Sequence, residues 1–281
     1  VTFSSEVLRN NPLGDPATRR FPVYLPPQYA TDPDRRFAVA WLLTGYTGWG
    51  EMKARSIKAW TESLPDRLDR LMQLPADDPL HIAPMIVVFP ELVPAIDGRF
   101  RTLADRDHRA VFGKSSGGYG AMLHAMRHPE VFGLMCSTAG DSYFPICCPG
   151  DFGKAFQRFR AHGGPAEFVK YFFGTEKRKS DDFAAMMILA YGQAYSPNAD
   201  VPGYFADLPM DLETGEIVDA VWQRWLACDP VNMVQDHVAA LRSMRLIFLD
   251  AGTSDEWYLD VGQRVFASRL RDHEISYDFE E

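Results

Sequence analysis

Apolar residues along the chain gather in short dense runs, separated by longer stretches of mixed polar and apolar character. The dense runs are "RRFPVYLPP" (19–27), "FAVAWLLTG" (37–45), "PMIVVFP" (84–90), "RAVFGK" (109–114), "GLMCSTAG" (133–140), "RLIFLDAG" (245–252) and "ISYDFE" (275–280). Each predicts a strand. Those at 84–90, 109–114 and 245–252 are almost continuously apolar, as strands covered on both faces must be. The segments 57–73, 117–128 and 257–272 fit helices. Strands alternating with helices predict the α/β class, with a mostly parallel central sheet, helices on both faces and a single domain over 1–281.

From Asp141 to about Met244 the alternation stops. "DFGKAFQRFRAHGG", "AEFVKYFFG", "DDFAAMMILAYGQAY" and "DAVWQRWLACDP" read as short helices, the last ended by Pro230, and "DLPMDLETGEIV" as a polar turn. A crossover between parallel strands needs only about 10–15 residues. The segment 141–244 is therefore expected to be largely a helical insertion that caps the domain.

Composition narrows the function. The 281 residues are 46% hydrophobic and carry 29 Lys plus Arg against 38 Asp plus Glu, a net charge of −9. An acidic chain without a basic run argues against nucleic acid and other polyphosphate partners. The start "VTFSSEVLRNNPLG" lacks the basic and apolar regions of a signal peptide, and no apolar stretch approaches the ~18 residues of a membrane span. Cys136, Cys147, Cys148 and Cys228 show no metal-ligand spacing. They are expected as reduced thiols of a cytoplasmic protein.

The stretch "HRAVFGKSSGGYGAM" (108–122) decides the chemistry. Gly113-Lys114-Ser115 ends like a phosphate loop, but such a loop needs glycine five positions before Gly113, where His108 stands. The alternative template, G-x-S-x-G, fits Gly113 to Gly117 between an apolar strand and a helix. There a serine is lifted above the sheet edge by a strained turn whose neighbours must be small, and the following amide faces developing negative charge. Ser115 is the expected nucleophile and Ser116 an amide donor. The competing reading is a glycine-rich turn whose serines cap the helix.

An elbow calls for an acid after a later strand, then a histidine. In "RLIFLDAGTSDEW" the choice is Asp255, although Thr253 and Glu256 stand at capping-box spacing and Asp255 could simply favour a helix start. Asp250 reads as structural, and Asp141 after "STAG" is the runner-up. A second oxyanion donor is expected from "TGYTGWG", where Gly45 allows close approach and Tyr46 offers its N–H. Gly45, Trp49 and Trp257 are expected to line the substrate pocket, although core packing is the default for any single aromatic.

In "NPLGDPATRRFPVYLPPQY", "LLTGYTG", "VFGKSSGGYGAM", "HPEVFG" and "FLDAGTSDEW" the chain resembles the putative-esterase family of α/β-hydrolases, which includes S-formylglutathione hydrolase, enterochelin-type esterases and mycolyltransferases. The resemblance implies the α/β-hydrolase fold, with Ser115 as nucleophile, Asp255 as acid and the Tyr46 and Ser116 amides as oxyanion hole. Many relatives have histidine where Thr44 stands, which should tune the pocket, because the donor is a backbone amide. In relatives the catalytic histidine follows the last strand, and here the sequence reaches only "ISYDFEE".

The seven histidines are each poorly placed for that role. His124 and His128 lie on the helix after the elbow. His81, His108 and His273 precede strands, at the opposite sheet edge, and His162 and His237 lie in or near the insertion. The base is therefore expected just after Glu281, and the abrupt passage around Pro90–Leu92 suggests further residues there. The expected activity is hydrolysis of a small-molecule carboxylic ester with no metal or organic cofactor. Acyl transfer on the same residues is the alternative, or ligand binding without catalysis if the triad histidine is truly lacking. Oligomeric state is left open, a homo-oligomer included.

Overall fold

A computed structural model of the protein describes residues 1–6, 8–11, 14–55, 62–89 and 93–281. The strands are β1 (Thr2–Ser4), β2 (Thr18–Arg20), β3 (Val23–Tyr24), β4 (Ala38–Leu43), β5 (Met85–Val88), β6 (Arg109–Lys114), β7 (Leu134–Thr138), β8 (Leu246–Asp250) and β9 (Asp278–Glu280). The longer helices are α1 (Leu64–Met72), α2 (Ser116–Arg127), α3 (Pro149–Ala161), α4 (Pro165–Gly174), α5 (Ser180–Tyr195), α6 (Asp219–Leu226) and α7 (Leu259–Asp272).

Seven strands form the main sheet in the order β3-β5-β4-β6-β7-β8-β9. β3 runs antiparallel to β5, and the remaining neighbours are parallel. Strand alternation sorts the continuous apolar runs onto two faces. Val39, Trp41, Ile86, Val88 and Val111 pack with Met122 and Met126 of α2 and Phe266 and Leu270 of α7. Ala40, Leu42 and Val87 turn the other way, onto Leu68 and Met72 of α1. No helix among the described residues is long and apolar enough to cross a membrane.

The run 19–27 corrects the sequence expectation of one strand. β2 pairs antiparallel with β1 in a separate two-stranded sheet, and β3 alone joins the main sheet. Pro22, between them, has no N–H to donate to a ladder. Of the helix expected over 57–73, Leu64–Met72 is observed, and residues 56–61 lie outside the described residues. So do Pro90, Glu91 and Leu92. The last long helix begins at Leu259 rather than 257, after Tyr258 at φ 59°.

Between β7 and β8 the helices α3 to α6 surround their own core, which includes Phe144, Phe159, Phe168, Ile188 and Trp225. The C-terminal end of the expected insertion departs from this arrangement. Val231, Met233, Val234 and Leu241 belong to the main core, so Pro230–Arg242 acts as the crossover layer of the sheet. Fully buried Asp229 joins the two ends of the helical unit. It accepts the amides of Tyr143 at 3.0 Å, Phe144 at 2.7 Å and Val231 at 3.0 Å. Asp229→Ala would leave these donors unpaired in the interior, and a loss of about 3 kcal/mol is expected. Denaturant unfolding checks this, and an unchanged midpoint would contradict it.

Candidate active site

The site is built where the carboxyl ends of β4, β6, β7 and β8 meet. β6 ends at Lys114 and α2 starts at Ser116, so Ser115 makes the turn alone. Its backbone lies at φ 57° and ψ −128°, a strained conformation for a residue with a side chain. The Ser115 amide donates to Thr138 O at 3.1 Å, and its carbonyl accepts from Tyr119 N at 3.0 Å. These bonds hold the turn at the sheet edge.

The motif glycines are explained by proximity. A Cβ on Gly113 would stand 2.5 Å from the Gly117 carbonyl carbon, and one on Gly117 would stand 2.7 Å from the Leu43 carbonyl carbon. One on Gly118 would stand 2.7 Å from Gly140 Cα. Each listens to rigid backbone that cannot move aside. Gly117→Ala is therefore expected to destabilise the protein by about 3 kcal/mol, and an unaltered thermal midpoint would contradict this.

The loop after β4 approaches the same point. A Cβ added to Gly45 would be 3.5 Å from Ser115 Cβ and 3.9 Å from Ser115 Oγ. Gly48 N donates to Gly45 O at 2.8 Å, and Thr44 Oγ1 donates to Gly48 O at 3.0 Å, closing a tight turn around Tyr46. Burial pushes the Tyr46 phenol upward from its ordinary range. Trp49 and Trp257 are 61% and 46% exposed, so core packing does not account for either ring.

Asp255 follows β8 and is half-buried. Its Oδ1 accepts Trp257 N at 2.9 Å and Leu259 N at 3.2 Å. The capping box weighed from the sequence is not formed, because the helix starts at Leu259 with Tyr258 as its N-cap and no side-chain cap bond. Asp255 instead braces the turn before it and accepts its first amide. Asp141, after β7, is hydrogen-bonded directly to the turn. Ser115 Oγ donates to its Oδ1 at 3.4 Å, and Ser116 Oγ and Tyr191 OH both donate to its Oδ2 at 2.9 Å. Asp141 is 3% exposed. Burial pushes its carboxyl upward, the three hydroxyls oppose that shift, and the charge of Asp255 adds to it.

Among the described residues, no histidine hydrogen-bonds Ser115, Asp141 or Asp255. His124 is turned back onto Gly120 O at 2.7 Å, His108 faces Asp105, and His162 stacks on Tyr171 with ring centroids 3.9 Å apart. All four cysteines are free thiols. Sequence reasoning reached Asp141 only as second choice and did not reach Tyr191. Tyr191 lies in "AYGQAY" on α5, where nothing local separates it from the aromatic residues of the helical core.

A family model described as Putative esterase matches residues 87–276, more than half of the chain. The chain belongs to this family. A curated relative, the endo-1,4-beta-xylanase/feruloyl esterase of Xylanibacter ruminicola, is 42% identical over 59 residues, which are 21% of this chain and 8% of that protein. The match thus spans far less than two thirds of the relative. Among solved structures, a ferulic acid esterase superposes with a TM-score of 0.58 at 18% identity, covering 100% of this chain and 87% of that one. S-formylglutathione hydrolase from Staphylococcus aureus gives 0.53 at 13% identity, covering 100% and 89%. A CE1 ferulic acid esterase from Anaeromyces mucronatus gives 0.51 at 12% identity, covering 100% and 80%. The fold is that of the α/β-hydrolases.

Proposed function

We propose that the chain hydrolyses carboxylic esters through an acyl-enzyme, with Ser115 as nucleophile. Family membership gives ester hydrolysis as the reaction class. The observation that carries the residue assignment is the strained Ser115 backbone between β6 and α2. Ser115 Oγ attacks the ester carbonyl while a base takes its proton, and the oxyanion forms against the amides of Ser116 and Tyr46. Collapse expels the alcohol, and water activated by the same base releases the acid.

Asp255 is the residue proposed to orient that base. Its two amide donors share Oδ1, leaving Oδ2 for an imidazole N–H. β9 runs parallel to β8, so the chain emerges from it at the edge that carries Ser115 and Asp255. This direction supports a histidine following β9 as the base. The helices between β7 and β8 serve as a cap over the site. The ferulic acid esterases among the relatives and the exposed rings of Trp49 and Trp257 favour an aromatic acyl group.

Hydrolysis of methyl ferulate and of an aryl acetate, with a fluorophosphonate adduct mapped by peptide mass, tests the proposal. Turnover with the adduct on Ser115 is expected. An adduct on another residue would overturn the assignment of the nucleophile.

A further inference from the structure

We infer that Tyr191 and Asp141 are positioning residues through which the helical insertion sets the reactivity of Ser115. The inference rests on Ser115 being the nucleophile. Three hydroxyls from two parts of the fold converge on one buried carboxylate. Ser115 and Ser116 come from the elbow, and Tyr191 comes from α5 of the insertion. Ser116 and Tyr191 share a single oxygen, each at 2.9 Å. Ionised Asp141 therefore fixes the side chain of Ser116 at the first position of α2, and with it the direction of the amide proposed as oxyanion donor. The same oxygen fastens α5 above the elbow.

The groups that face Asp141 are Asp255 from the loop after β8, Tyr119 of α2, Tyr191 and Tyr195 of α5, and Cys148 before α3. Against burial and the charge of Asp255, the hydroxyl bonds of Ser116, Tyr191 and Ser115 are what favour the ionised form. Protonated Asp141 no longer accepts at both oxygens equally, so the pinning of Ser116 weakens and turnover falls with pH. Tyr191→Phe removes a bond that lowers the Asp141 titration point. The sign follows: without the hydroxyl, Asp141 takes up its proton at higher pH, and the acidic limb of kcat moves to higher pH.

The experiment compares Tyr191→Phe with Tyr195→Phe. The Tyr195 ring stacks on Tyr191 with centroids 5.4 Å apart, but its hydroxyl does not bond Asp141. For Tyr191→Phe the expected result is a roughly tenfold lower kcat, little change in KM and an upward-shifted acidic limb. Tyr195→Phe should keep the wild-type limb. Carbon-13 titration of the Asp141 carboxyl, assigned by its loss in Asp141→Asn, should show the same upward shift without reference to turnover. An Asp141 titration and an acidic limb unmoved by Tyr191→Phe would overturn the inference. A fluorophosphonate adduct away from Ser115 would instead overturn the nucleophile assignment beneath it.

Discussion

Ser115→Ala is expected to lower kcat for ester hydrolysis by roughly a million-fold, with KM nearly unchanged. The reason lies in what the side chain does and does not contact. Among the described residues its Oγ makes one long bond, 3.4 Å to Asp141, so removing it costs the fold little. What disappears is the covalent route itself. Residual turnover above the uncatalysed rate would come from the Ser116 and Tyr46 amides proposed as oxyanion donors. Steady-state kinetics on methyl ferulate, beside a thermal melt, checks both halves. An activity loss below about tenfold would remove Ser115 from the chemistry.

If Asp255 orients the base as proposed, Asp255→Asn should cost about 10⁴-fold in kcat, as in triads that lose the charge of the acid. Asparagine keeps an oxygen for the amides of Trp257 and Leu259, so the melting temperature should hold. Asp255→Ala removes that acceptor as well. It should show the same loss of rate together with about 1 kcal/mol of stability, the usual net worth of a lost hydrogen bond. The pair separates the proposed orienting role of this carboxylate from its observed acceptance of two amides. Full activity in Asp255→Asn would leave Asp255 as an acceptor for the two turn amides alone.

The sheet was legible because burial on both faces leaves a dense apolar signature, and "FAVAWLL", "MIVV" and "LIFLD" are strands where that signature predicts them. The elbow was legible for a related reason. Gly113, Gly117 and Gly118 record close backbone contacts that tolerate no other side chain. Two features were hidden. Val231, Val234 and Leu241 show the same apolar spacing whether their helices cover an insertion or the main sheet, and only tertiary packing assigns them to the main core. Tyr191 reaches Asp141 over a sequence separation of 50 residues, and a contact made by one hydroxyl at that distance leaves no local pattern.

β7 and β8 are neighbours in the sheet although the entire helical insertion separates them in sequence. Were that insertion a flexible chain, bringing the two strands together would carry the entropy of closing a very long loop. Asp229 changes the arithmetic. By bonding Tyr143 and Phe144 on one side and Val231 on the other, it brings the entry and exit of the helical unit to a single point. Once the unit has folded around Trp225 and Phe159, the strands are joined by a tether a few residues long in effect. With entry and exit held together in this way, pairing β7 with β8 costs the entropy of a short closure rather than that of the whole intervening segment.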